Sequence, residues 1–172
     1  MRRILGPTLG IALAATAAFP AASQQAAGTV EGTLQLEDAR WFVRPGGGDL
    51  PRSYWREGPD GYEVQLAAFP TREAEQAEGA IVIRLRAEGE PDALEARAPM
   101  VRMPRRDATW RSVAKNTFLS LVEAQRTGDA LAVAGSVVGR LTIEAAEGTA
   151  AEDFRTVDAE FQATVYRDRQ GE

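Results

Sequence analysis

A serine placed three residues ahead of the chain's only lysine is the first arrangement in the sequence with the makings of chemistry. Ser112-Val113-Ala114-Lys115 would set an amine one helical turn from a hydroxyl, the spacing at which a lysine can take the proton of a serine nucleophile. Other nucleophile systems are ruled out by composition. The chain contains neither histidine nor cysteine, which removes Ser-His-Asp and Cys-His catalysis and the usual zinc and copper ligand sets. Carboxylates are plentiful, 25 Asp and Glu in all. A glycosidase needs two of them about 5–10 Å apart across a cleft, and no spacing along the chain encodes that separation. Asp49, Asp60, Asp129 and Asp158 fall in or beside turns, but none opens the D-x-[DN]-x-[DN]-G loop that grips calcium.

In penicillin-recognising enzymes the S-x-x-K spacing is accompanied by S-D-N and K-T-G segments, and neither occurs here. Ser112 and Lys115 are therefore expected in a solvated turn, with no catalytic residue, metal or cofactor assigned. Two other groups of residues point to binding. Trp41, Tyr54 and Trp55 flank the segment Pro45-Gly46-Gly47-Gly48-Asp49, and exposed aromatic rings stack on sugars or anchor a protein partner. The competing expectation is that Trp41 plugs the end of the core. Arg102, Arg105, Arg106 and Arg111, with Arg97 and Lys115 beside them, face a single acid, Asp107. If they share one face they form a donor-rich patch for phosphate or sulfate, although most charge runs are solvated loops.

The elements that must position these residues are strands. Over 131–143 the odd positions read Leu, Val, Gly, Val, Gly, Leu, Ile and the even ones are mostly small or polar, the period of two of a half-buried antiparallel strand. The stretch 28–36 repeats it: Gly28, Val30, Gly32, Leu34 and Leu36 match Gly135, Val137, Gly139, Leu141 and Ile143. Glycine on an inward face lets a bulky neighbour lie over the backbone or lets the strand coil. Further strands are expected at 40–43, 62–68, 81–86, 94–100 and 118–124, and a clean last one at 157–166. Pro99 should mark an edge or bulge. Residues 71–78 read as a loop or a turn or two of helix, and 102–109 and 144–155 as polar loops.

About eight short strands without helical period predict an all-β fold, an antiparallel β-sandwich, with a closed lipocalin-like barrel as the alternative. Leu131, Val133, Leu141, Ile143, Phe161 and Val165 are the expected core. Arg2 and Arg3 precede an apolar run over 4–19, with Ala21 and Ser23 at small-residue positions. This reads as a signal peptide over 1–23, cleaved to leave a single β domain over 24–172, exported to the periplasm or beyond the cell. Pro7 and the shortness of the run argue against a membrane span. The formal charge is −5, and losing Arg2 and Arg3 makes it more acidic, which disfavours nucleic acid. The leading expectation is a non-catalytic exported domain that binds a protein partner or polyanion at the cell envelope. A small carrier with an apolar cavity near Gly28, Gly32, Gly135 and Gly139 is the second, and a carboxylate-dependent hydrolase the third.

Overall fold

Apolar residues that recur at every second position bury one face of an extended chain and leave the other wet, and among the described residues the chain forms ten strands, the longest of which follow that pattern. They are β1 (Ala27–Leu34), β2 (Glu37–Val43), β3 (Tyr54–Gly58), β4 (Gly61–Phe69), β5 (Ile81–Glu88), β6 (Glu95–Pro104), β7 (Thr109–Arg111), β8 (Thr117–Thr127), β9 (Ala130–Ile143) and β10 (Phe154–Tyr166). The computed structural model describes residues 26–89, 94–106, 108–112, 114–143 and 154–168. The expected signal over 1–23 lies outside the described residues, as do parts of the turn after Gly89 and of the loop after Ile143. Among the described residues no helix is long and apolar enough to cross a membrane.

All the strand ladders are antiparallel, in the order β10-β1-β2-β4-β5-β6-β7-β9-β8, with β3 beside β4 and a further pairing of β10 with β9. Two joins in this circuit have only two registered pairs each. β2 meets β4 only through Phe42 with Phe69 and Val43 with Ala68, and β7 meets β9 only through Trp110 with Ile143 and Arg111 with Thr142. The joins divide the sheet into two layers, β8-β9-β10-β1-β2 and β3-β4-β5-β6-β7. Val30, Trp41, Leu131, Val137 and Phe161 from the first pack in one core with Trp55, Leu66, Ile83, Val101 and Met103 from the second. The all-β antiparallel fold expected from the sequence is the one observed, as a sandwich whose layers are stitched at two corners. Strands β3 and β7 have no counterpart among the expected strands, and β6 runs on to Pro104 through residues expected as loop.

Inside the first layer, size alternates row by row. Reading across β1, β10 and β9, the inward rows are Gly28–Ala163–Val133, Val30–Phe161–Gly135, Gly32–Ala159–Val137 and Leu34–Val157–Gly139. Each row holds one glycine and one large residue on opposite flanks of β10. The two glycine-bearing segments are therefore neighbours of the same strand, offset by two residues. Three of the four glycines are close-approach positions. A Cβ on Gly28 would lie 2.2 Å from the Gln162 carbonyl oxygen, one on Gly32 2.1 Å from that of Asp158, and one on Gly135 2.1 Å from that of Ser120 and 2.9 Å from Phe161 Cζ. At Gly139 an added Cβ would make ordinary contact with the Val157, Ser112 and Thr117 side chains at 3.5–3.7 Å.

Two local departures follow from turn geometry. β1 ends at Leu34, and Gln35 and Leu36 turn the chain with φ of 55° and 69°, the left-handed pair of a tight hairpin. Leu36, expected as an inward strand residue, is 90% exposed. Between β5 and β6 the register passes from Arg84–Met100 to Arg86–Arg97, so Leu85 faces both Ala98 and Pro99. This is the bulge that proline foretells. Of the expected core, Leu131, Val133, Leu141, Phe161 and Val165 are buried. Ile143 is half-buried where β9 meets β7.

Candidate functional site

The alternation that turns Val64, Leu66, Ile83, Leu85, Val101 and Met103 into the core turns their neighbours to the other face, where Ala67, Phe69 and Val82 are covered by a second apolar cluster with Leu50, Ala74 and Ala80 and the rest face solvent or its edge. On the outer face of the β3–β7 layer those neighbours are Arg56 from β3, Arg84 and Arg86 from β5, Arg97 and Arg102 from β6 and Arg111 from β7. Glu63, Glu88 and Glu95 share this face. Two register positions bring arginine directly opposite arginine, Arg86 with Arg97 and Arg102 with Arg111. Like charges placed directly opposite destabilise a sheet unless other groups offset them.

The glutamates hold several of these side chains in place without cancelling the field. Arg56 donates Nε and Nη2 to Glu63 Oε2 at 2.9 and 2.6 Å, and this hydrogen bonding raises the guanidinium pKa above its ordinary value. The direction of that shift keeps Arg56 a cation throughout the pH range below the ordinary arginine value. Arg84 donates to Gln65 Oε1 at 3.2 and 2.7 Å. Arg97 pairs with Glu95 at 2.6 Å and Arg86 with Glu88 at 3.8 Å. Arg111 Nε lies 3.2 Å from Met100 Sδ. All six arginines are exposed, and pairs of this kind contribute little to stability, about 0–1 kcal/mol each.

The outer face of the other layer has the opposite sign. It carries Glu31, Asp38, Glu123, Asp158 and Glu160 against Arg40 and Arg140, and Glu31 stands opposite Glu160 across the β1–β10 ladder. Among the described strand residues, the outer face of one layer thus carries an excess of arginine and that of the other an excess of acid.

The sequence-based candidates fall in three places. Arg102 and Arg111 are on the basic face. Arg105 and Arg106 follow the end of β6 and leave it: Arg105 is half-buried, and its Nε is buried with no hydrogen-bond partner among the described residues. Trp41 and Trp55 are interior, only 3% and 0% exposed, and cannot offer a ring face for stacking. Trp41 Nε1 donates to the Gly79 carbonyl at 2.9 Å, and Trp55 Nε1 to that of Asp129 at 2.9 Å. Trp55 also meets Tyr62 edge-on with centroids 5.3 Å apart. The strand parity of β3 accounts for this, since it turns Trp55 inward and Tyr54 and Arg56 outward. Tyr54 alone of the three aromatics keeps a surface.

Ser112 does not lie in the solvated turn expected for it. Only 1% of it is exposed, its Oγ accepts the Val101 N–H at 3.0 Å, and it shares a proton with Thr117 Oγ1 at 2.6 Å. It stands in for a ladder bond where β6, β7 and β8 converge, while Lys115 is exposed on a 3₁₀ turn over Ala114–Asn116. The basic-face residues that sequence reasoning missed, Arg56, Arg84 and Arg86, had their signal in strand parity rather than in any run of charge. No protein-family model matches this chain, and no match is found among curated proteins or solved structures.

Proposed function

We propose that this chain is an exported, non-catalytic domain that binds a phosphate- or sulfate-bearing polyanion of the cell envelope on the arginine face of its β3–β7 layer. The observation that carries the reading is the pair of directly opposed arginines, Arg86 with Arg97 and Arg102 with Arg111, on one exposed sheet face. A multivalent anion can bridge guanidinium groups that the register sets side by side. The planar guanidinium fork suits oxyanions better than an ammonium does, and a rigid sheet fixes the spacing of the forks before binding.

Binding to dextran sulfate or inorganic polyphosphate, followed by calorimetry at several salt concentrations, tests the proposal. Affinity should fall steeply as salt rises, because each neutralised anion releases a counterion. Replacing Arg102 and Arg111 together with serine should lower the slope of log K against log salt by up to about 2. The same change should move folding stability by no more than about 1 kcal/mol, as expected for exposed surface positions. Lost stability with unchanged binding would assign these arginines to the fold.

Export rests on Arg2 and Arg3, the apolar run over 4–19 and the spacing of Ala21 and Ser23. The protein recovered outside the cytoplasm should have the mass of residues 24–172. A mass that still includes residues 1–23 overturns that element of the proposal.

A further inference from the structure

β8 ends the strand order, and among the described residues its only ladder is with β9. One row of its main-chain N–H and C=O groups therefore faces away from the sheet, as a template on which another strand can pair. Natural edges are commonly guarded by charge or proline, and the first half of this one has neither. From Thr117 to Val122 it reads Thr-Phe-Leu-Ser-Leu-Val, the composition of a segment that pairs with other chains when left bare. Phe118 and Val122 are 76% and 82% exposed, while Leu119 and Leu121 lean toward the core and are only half-buried. A bulge between Leu121 and Glu123 ends this regular stretch. Beyond it Glu123 is exposed and Ala124 faces the core, so the parity has changed.

This edge is complementary to itself. A two-fold axis normal to a sheet returns each face to itself, so it must pass through a residue position and not between two. Of the antiparallel registers this allows, only the one centred on Ser120 opposes every apolar residue from Phe118 to Val122 with an apolar one. Phe118 then meets Val122 of the second copy, Leu119 meets Leu121, and Ser120 meets Ser120. The Ser120 carbonyl oxygen lies against Gly135 of β9, so alternation sends the N–H and C=O of Leu119 and Leu121 outward. Each of these leucines would exchange hydrogen bonds with the other's counterpart and carry the core across the junction. On the outer face Val138, opposite Phe118 on β9 and 45% exposed, extends the apolar row. Charge fits the same register. Lys115 and Glu123 are both exposed and make no ion pair among the described residues. Glu123 would stand opposite Thr117 of the second copy, two residues from its Lys115, at both ends of the ladder. We infer that β8 is the interface of a two-fold dimer, in which the β8-β9-β10-β1-β2 layers of two copies join as one continuous sheet.

Sedimentation of the mature protein over about 1–200 μM tests this, and a dimer should dominate at the upper end. The chain has no cysteine, so one placed on the axis reports the register directly. Ser120→Cys should form a disulfide-linked dimer on mild oxidation, because the two copies of this position would face each other at cross-strand distance. Gln125→Cys, also exposed on β8, should not. Ser120→Lys sets two like charges face to face and should raise the dimer dissociation constant about tenfold or more, with circular dichroism unchanged. Lys115→Glu should raise it about threefold, and Lys115→Glu/Glu123→Lys should restore it. A protein that stays monomeric throughout overturns the inference. So does a dimer indifferent to Ser120→Lys, or cross-linking of Gln125→Cys equal to that of Ser120→Cys. A monomer that instead takes a foreign extended peptide on this edge overturns it as well. None of these outcomes bears on the polyanion reading, which uses the other layer and is read from salt dependence.

Discussion

Gly135→Ala is expected to destabilise the domain by about 3 kcal/mol, and Gly135→Val to prevent folding altogether. The nearest atom to an added Cβ is the main-chain oxygen of Ser120, at 2.1 Å, with Phe161 Cζ next at 2.9 Å. A side-chain clash can be relieved by changing a rotamer. A backbone clash requires β8 to move away from β9, along a ladder that runs from Thr117–Gly139 to Thr127–Ala130. Trimming the ring in the double variant Gly135→Ala/Phe161→Leu should therefore not restore stability. Urea titration followed by tryptophan fluorescence measures both. A midpoint shift for Gly135→Ala worth less than about 1 kcal/mol, or full rescue by the second change, would show that the glycine accommodates the ring and not the neighbouring backbone.

Phe161→Ala is expected to cost about 3–5 kcal/mol, a large share of the stability of a domain this size. The ring is 3% exposed and lies between Val30 and Gly135 in its row. Its row-mate on β9 has no side chain with which to fill a void. β10 cannot shift to close one either, because it is paired from end to end with β9 and over most of its length with β1. The cavity should therefore persist, placing the cost toward the upper end of the range. An unchanged urea midpoint would mean that the inward parity of β10 is wrong.

Strand parity was legible wherever a strand was long enough to show it. β9 and β10 have 14 and 13 residues, so their inward sets could be read directly, and the buried residues match apart from the half-buried Ile143. β3 has five residues and β7 three, too few for a period to emerge from local sequence. What depended on them was only partly legible. Without β3, Trp55 looked like the companion of Tyr54 in one surface cluster, when adjacent strand positions point to opposite faces. Without β7, nothing indicated that Arg111 would stand opposite Arg102. The run from Arg97 to Lys115 was a partial view of the basic face, because Arg56, Arg84 and Arg86 reach it from other strands while Arg105 and Arg106 lie past a strand end. Proximity in a sheet is set by register, and register is not written in a local charge count.

The pairing of β1 with β10 also decides how the domain would bear a load. Ala27 is registered against Thr164, and the ladder runs from there to Leu34 against Val157, so the chain enters and leaves the fold at the same end of one antiparallel pair. Tension applied between Ala27 and Tyr166 acts across the strands, along the hydrogen bonds, which lie perpendicular to the strands in an antiparallel ladder. The registered pairs then separate in succession, beginning with Ala27–Thr164, and never share the force as they would in shear. A domain anchored by one end and gripped by the other would yield at low force by peeling β1 from β10. Gripped instead by its broad basic face, it would leave that ladder unstressed.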